Sequence, residues 1–448
     1  MPRRNMQLLL IVAIVSVICY EKAGSSQRSR YGPMVETLIE TLDQIDRHYV
    51  ERVDRRELFE GALAGILNKL DEYSAFYGPE ENNGLQEEFD QQFGGIGIQV
   101  SLPAETKQLT VLSPLVGTPA YEAGVLAGDK IVAIDGQSTD GFVIDDALRL
   151  LRGRRGEKVR LTVLHEGDDK PVELEIERAI IQVDTVLGDT RNPDNSWNFL
   201  LDGTTDIAYI RIMAFYKQTS DELERAITWL RHRQPRALVL DLRDNAGGLL
   251  HEAVEVCDQF LDEGRIVSTL GRGGDELETF DAEPGSVFTN LPMAVLVNRY
   301  SASAAEIVAA CLQDHHRAIV VGERTWGKGS VQSVIDLERG KSALKLTTAT
   351  YWRPSRRNIH RHKDDKDTDL WGVTPDPGFE VKLSNEDFEK THLDRRQRDI
   401  VGRPTSASAT NGSTARDTPR FDPQLQRAVE YLESKLAAES STARRAAH

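Results

Sequence analysis

The chain has 448 residues, 40% of them hydrophobic and 28% charged, with a formal net charge of -16. That composition belongs to a soluble globular protein with enough apolar material for roughly two to four domains. The excess of carboxylates excludes a nucleic-acid surface, which needs clustered lysine and arginine. Only three cysteines are present, Cys19, Cys257 and Cys311, so no disulfide framework is expected.

Taken in order, Arg3 and Arg4 precede an uncharged run from Leu8 to Tyr20 that ends at Glu21 and Lys22. This pattern fits a secretory leader over residues 1–30, either a cleaved signal peptide or a retained membrane anchor. Both place the body of the protein across the plasma membrane, in the periplasm or cell envelope. Residues 31–84 carry apolar side chains at helical spacing (Val35, Leu38, Ile39, Leu42, Ile45, then Leu58, Ala62, Ile66, Leu67, Leu70). Two helices are expected there, broken near Val53-Asp54-Arg55. Residues 85–183 change to short apolar strands and glycine turns, with one helix near Ile144 to Leu151.

From residue 184 to 400 strands alternate with helices. The strands are expected at Ile207 to Ile212, Ala237 to Leu242, Ala294 to Val297 and Ile319 to Val321. The helices are expected at Ser220 to Arg233, Leu249 to Leu261 and Ala302 to Leu312. Alternation of this kind predicts an α/β layer. Residues 401–420, rich in Ser, Thr, Ala, Gly and Arg, read as a linker. A last amphipathic helix follows from Phe421 to Leu436 within a segment 421–448.

Three segments carry chemistry. Ser303 stands where an apolar strand turns into a helix, and Ser303-Ala304-Ala305-Glu306 is a capping box. The same position sets a hydroxyl beside unpaired N–H groups that can stabilise an oxyanion. Ser301 competes as nucleophile, but precedes the helix and reads as a turn-shaping residue. A serine needs a base. No histidine has a convincing setting, whereas Lys328 lies between Gly327 and Gly329 ahead of an alternating strand, Val331 to Leu337. Most lysines snorkel to water; one buried in an apolar pocket has a lowered pKa and can take the serine proton. The third segment, Ala237 to Leu250, is an apolar strand ending in the pair Gly247-Gly248, whose amides can face a ligand.

With these residues in view, the chain resembles the carboxyl-terminal processing (tail-specific) proteases. The matching motifs are Asp241-Leu-Arg-Asp-Asn-Ala-Gly-Gly248, Ser301-Ala-Ser-Ala-Ala-Glu-Ile307 and Gly322-Glu-Arg-Thr-Trp-Gly-Lys-Gly-Ser-Val-Gln332. The resemblance implies a crotonase/ClpP-like α/β protease core over 184–400 with an inserted, mainly β PDZ domain and an N-terminal helical region that often dimerises. It implies Ser303 as nucleophile, Lys328 as general base, Gln332 as the residue orienting the lysine, and the amides of Gly248 and Ala304 as the oxyanion hole. No metal or cofactor is needed for such chemistry. Gly94-Gly95-Ile96-Gly97-Ile98 resembles the peptide-binding turn of the PDZ domain, whose edge strand and amides would capture apolar polypeptide C-termini. Ala305 replaces a serine common in the family, and Glu72 replaces a proline.

The expected function is therefore an exported serine endopeptidase acting through an acyl-enzyme on substrates recognised by their tails. The rival readings are a catalytically silent PDZ scaffold and a Ser–Lys amidase. The charged run from His360 to Asp369, where the family has a short turn, is expected to be a solvated loop rather than a metal site.

Overall fold

The computed structural model describes residues 31–90, 92–103, 106–286, 288, 290–400 and 420–446. The expected leader and most of the expected linker therefore lie outside the described residues. Two N-terminal helices, Gly32–His48 and Arg55–Leu67, are separated where the sequence predicts. Asp54 starts the second by accepting the N–H groups of Arg56 and Glu57. The chain then enters a short strand, Ala75–Tyr77, which pairs antiparallel with Ser342–Trp352 at Ala75↔Lys345. A helix at Pro79–Phe89 leads into the next unit.

That unit is joined to the rest by a neck of two antiparallel strands, Gln92–Gly95 and Ala179–Gln182. Between them a sheet is ordered Ile98–Ser101, Thr110–Pro114, Lys130–Ile134, Lys158–Leu164, Val172–Glu177. Its core includes Ile96, Leu109, Ile131, Leu161 and Ala147, the last from the predicted helix Ile144–Leu151. Ile98–Ser101 is the terminal strand, so one backbone edge is unpaired within the sheet. Gly94 and Gly97 are held tightly. A Cβ on Gly94 would sit 2.1 Å from the Gly153 oxygen, and one on Gly97 would strike Thr118.

The larger unit is built on a five-stranded sheet, Val186–Leu187, Ile207–Ile212, Ala237–Asp241, Met293–Val297 and Ile319–Gly322. The last four run parallel. Their alternate residues supply two separate cores, which is why these strands read as unbroken apolar runs. Ala208, Ile210, Leu238, Leu240, Val295 and Val320 pack on helices Thr219–Arg231, Leu250–Asp258 and Ala304–Asp314. Tyr209, Val239, Ala294, Leu296 and Val321 face Leu425, Ala428, Leu432 and Leu436 of the terminal helix Pro423–Ala446. The predicted α/β layer is thus covered on both faces. A second, antiparallel sheet joins Ala75–Tyr77, Ser342–Trp352, Arg265–Leu270 and Glu276–Asp281, with Ser330–Leu337 also paired to Ser342–Trp352. A further helix, Asn385–Asp399, has no counterpart in the sequence reading.

Candidate active site

The site is assembled at the C-terminal ends of the parallel strands, where ligands of open α/β sheets commonly sit. Ala237–Asp241 is followed by the glycine turn, and Met293–Val297 by the serine turn. Asn245 organises the first: its amide donates to the Ile212 carbonyl at 2.8 Å and its side-chain oxygen accepts the Gly247 N–H at 2.8 Å. Its own carbonyl accepts the Ala302 N–H at 2.9 Å, tying the two turns together. Asp244 and Asn298 bond each other side by side, at 2.9 and 3.0 Å. Gly247 lies so close to Ser303 that a Cβ there would be 2.7 Å from the serine Cβ. Gly248 has φ +146°, and its Cβ would be 2.1 Å from the Phe215 oxygen. Glycine is obligatory at both positions.

Ser303 precedes helix Ala304–Asp314 with φ 56° and ψ -116°. A non-glycine residue in this region is strained, and such strain is found where a strand-to-helix turn presents a nucleophile. Ala302, Ala304 and Ala305 are buried around it, which explains the run of small side chains. Ser301 is fully buried and committed to the turn: its hydroxyl donates to the Leu242 carbonyl at 2.8 Å and accepts the Asn298 N–H at 3.0 Å. Among the described residues, the amides of Gly248 and Ala304 have no protein acceptor. Those are the two groups expected to hold an oxyanion.

The lysine turn closes on the serine turn through backbone. The Trp326 N–H donates to the Ser301 carbonyl at 2.9 Å. The buried carboxylate of Glu306 accepts the N–H groups of Ser303, Gly327 and Lys328 at 2.8, 2.7 and 2.8 Å. Lys328 is partly buried, and burial, reinforced by the nearby Lys345 charge, lowers its pKa despite the opposing Glu306 charge. Its amine lies over the Tyr73 ring, 4.9 Å from the centroid. The Ser303 hydroxyl meets the buried phenol of Tyr351, whose pKa burial pushes up to about 12. No hydrogen bond joins Lys328 to Ser303 or to Gln332 in this conformer. Gln332 sits at a bulge in its strand and donates to Ser330 Oγ at 2.9 Å and Thr347 Oγ1 at 3.1 Å. Backbone and turns are therefore in place, while the lysine side chain points toward Tyr73.

Three features of the site have no signal in the sequence: the Tyr73 ring against Lys328, the Tyr351 phenol against Ser303, and the bridging bonds of Glu306. Tyr73 is placed by Asp71, which accepts the Tyr73 and Ser74 N–H groups at 2.8 Å and the Ser74 hydroxyl at 3.0 Å. Ser74 in turn accepts the Thr347 N–H at 3.1 Å. The strand pairing of Ala75–Tyr77 with Ser342–Trp352 and the Ser74–Thr347 bond bring this segment to the lysine, and no local pattern announces them. The charged loop is mostly exposed from 361 to 370, as expected, yet its ends dock on the lysine turn. His360 Nδ1 accepts the Gly329 N–H at 3.3 Å, the Arg361 N–H donates to the Gly327 carbonyl at 2.8 Å, and Arg324 and Arg361 both lie on the Trp371 ring.

A cavity of about 440 Å³ lies between the inserted unit and the larger one, lined by Gln99, Leu112, Met213, Asp244, Phe388 and His392 among others. It reaches the far side of the glycine turn and does not include Ser303 or Lys328.

Residues 206–377 match the model of peptidase family S41, and residues 110–165 match a PDZ domain. A carboxy-terminal-processing protease of Bartonella bacilliformis is 35% identical over 444 residues, covering 96% of this chain and 93% of the relative. A carboxyl-terminal-processing protease of Synechocystis is 36% identical over 75% of this chain and 74% of its own length. Among solved structures, a photosystem II D1 C-terminal processing protease is 29% identical with a TM-score of 0.43, over 77% of this chain and 92% of that one.

Proposed function

Because the chain belongs to peptidase family S41, with the carboxy-terminal processing proteases, it is a serine-type peptidase, and we propose that it works through Ser303 and Lys328. In this reading the Lys328 side chain turns from Tyr73 to Ser303, and its neutral amine accepts the hydroxyl proton as the serine oxygen attacks the scissile carbonyl. The oxyanion settles against the amides of Gly248 and Ala304, each donor lowering the barrier by about 3 kcal/mol. Collapse expels the amine, which receives the proton from Lys328. Water then hydrolyses the acyl-enzyme by the reverse proton path. Gln332 steadies the lysine in its working position. A general base and its nucleophile commonly come into full contact only once the substrate is bound. The observation that carries this reading is the pair of unbonded amides flanking a strained serine, with a partly buried lysine turn fastened to the same helix start.

In this reading the PDZ unit supplies tail recognition: the free edge of strand Ile98–Ser101, with the turn at Ile96 and Gly97 that leads into it, receives an extended apolar C-terminus by strand addition, while Gly94 and Gly95, expected in that turn, lie in the paired neck strand. The exposed apolar residues Met34, Val35, Leu38 and Ile39 of the first helix support pairing of two copies there. Export follows from the charged and apolar pattern of residues 1–22. Among the described residues no helix is long and apolar enough to cross a membrane, so anchoring would rest with that leader.

The test uses internally quenched peptides differing only in their last three residues. Wild-type protein should cleave them, with apolar tails preferred; Ser303→Ala and Lys328→Ala should lower turnover by at least about 10³-fold while keeping the native circular dichroism. Undiminished turnover by Ser303→Ala would discard the nucleophile. Equal rates on all tails would discard the PDZ role.

A further inference from the structure

Glu306 reads in sequence as half of a capping box, a role that asks only for its bond to the Ser303 N–H. The folded chain gives it three more. Oε2 also accepts the Lys328 N–H at 2.8 Å, while Oε1 accepts the Gly327 N–H at 2.7 Å and the Thr325 hydroxyl at 2.5 Å. These partners lie 19 to 22 residues along the chain, where no helix cap has any use for them. Glu306 has no exposed surface. The Thr325 hydroxyl accepts the Val373 N–H at 2.7 Å, leaving its proton for Glu306. All four partners of the carboxyl group are thus donors. An ionised carboxylate offers about four acceptor sites and satisfies them all, whereas a protonated one would set an O–H against a donor.

We propose that Glu306 is a positioning residue for hydrolysis: a buried anionic strut that locks the serine turn to the lysine turn and sets the charge felt by the Lys328 amine. The proposal rests on the Ser303–Lys328 reading. The groups facing that amine are the Tyr73 ring, the Lys345 ammonium and Glu306 itself. Burial and Lys345 push its pKa down and Glu306 pushes it up, so loss of the Glu306 charge lowers it further. Burial likewise raises the Glu306 carboxyl, against the bonds from Thr325, Gly327 and Lys328 that favour its ionised form.

The experiment measures the rate of Ser303 labelling by a fluorophosphonate probe between pH 6 and 10 in the full-length protein, with circular dichroism as the check on folding. Glu306→Gln keeps the shape but turns one arm into a donor facing donors. Its plateau rate should fall by about 10²-fold, the scale of a 1 Å misplacement. The midpoint of its pH profile should move to lower pH, which loss of packing alone would not produce. A folded variant with a wild-type plateau and an unmoved midpoint overturns the strut. Lys328→Ala is the separate control: if it labels as fast as wild type with the same pH course, the dyad reading itself fails. Should Glu306→Gln not fold, Thr325→Val decides. It removes one arm and keeps the charge, so the plateau should drop roughly tenfold with the midpoint unmoved; a wild-type rate overturns the proposal.

Discussion

Ser303 is strained because its φ of 56° is imposed by neighbours on every side: Glu306 holds its N–H, Gly247 touches its Cβ, and the helix begins at the next residue. The sequence shows the serine, the alanines around it and the glycine pair, so the proposed nucleophile and oxyanion groups are legible from spacing and residue size. The direction of the Lys328 side chain is not, since it depends on Tyr73, from the bend before Ala75–Tyr77, and on Lys345, from the strand Ser342–Trp352. Two predictions belong at this scale. Lys328 must be neutral to act as base, and burial has lowered its pKa. Activity should therefore rise with pH through a midpoint below the ordinary lysine value of about 10.4; a profile flat from acid to alkali would remove the lysine from the mechanism. Gly248→Ala places a methyl 2.1 Å from the Phe215 oxygen, so the turn must move and the amide with it. The turnover number should fall about 10²- to 10³-fold with little change in KM. An unchanged turnover number would show that this amide is not used.

Among the elements, strands of the central sheet are legible because burial on both faces leaves a continuous apolar run. Helix Asn385–Asp399 is not, because its sequence, NEDFEKTHLDRRQRD, has almost no apolar stripe. It is held by polar contacts instead. Ser384 caps its start, Lys390–Glu386 and Arg398–Asp394 bridge successive turns, and Arg395 reaches the fully buried Asp189 at 3.0 Å. Arg211 grips Asp399 with two contacts of 2.8 Å, and His392 bonds Asp244 behind the glycine turn at 2.9 Å. Burial would raise the Asp189 carboxyl, but Arg420 and Arg395 outweigh it and hold the group below its usual value. A depressed carboxylate gives stability that is present above about pH 3.9 and is lost as pH falls through the lower folded value. Arg395→Ala should thus cost about 3 kcal/mol at pH 7, less in acid, read by urea unfolding at both pH values. A difference below about 0.5 kcal/mol at pH 7, the scale of a surface change, would mean that the pair adds nothing to stability.

On the scale of the whole molecule, chain connectivity does work that no single motif reveals. The serine and lysine turns belong to the large unit, but the lysine's cover comes from the N-terminal segment and the sheet behind it is completed by Ala75–Tyr77. The C-terminal helix seals one face of the central sheet. It is also anchored by Arg243, a buried residue of the glycine-turn segment that binds Asp241 and both oxygens of Asp422, the latter at 2.8 Å. The sequence marks that helix as amphipathic but understates its length and does not show that Arg243 ties it to the active-site turn. Leu432→Ala, at a position with no exposure, should destabilise the protein by about 2–5 kcal/mol and lower activity only through the unfolded fraction. A stability loss under 1 kcal/mol would argue that this helix does not seal the core. The most direct measurement of the catalytic account is mass spectrometry of protein quenched in acid during turnover of an activated peptide ester. The account predicts one acyl group on the Ser303 hydroxyl in wild type and its absence in Lys328→Ala. An acyl group on any other side chain, or turnover with Ser303 never modified, would contradict it.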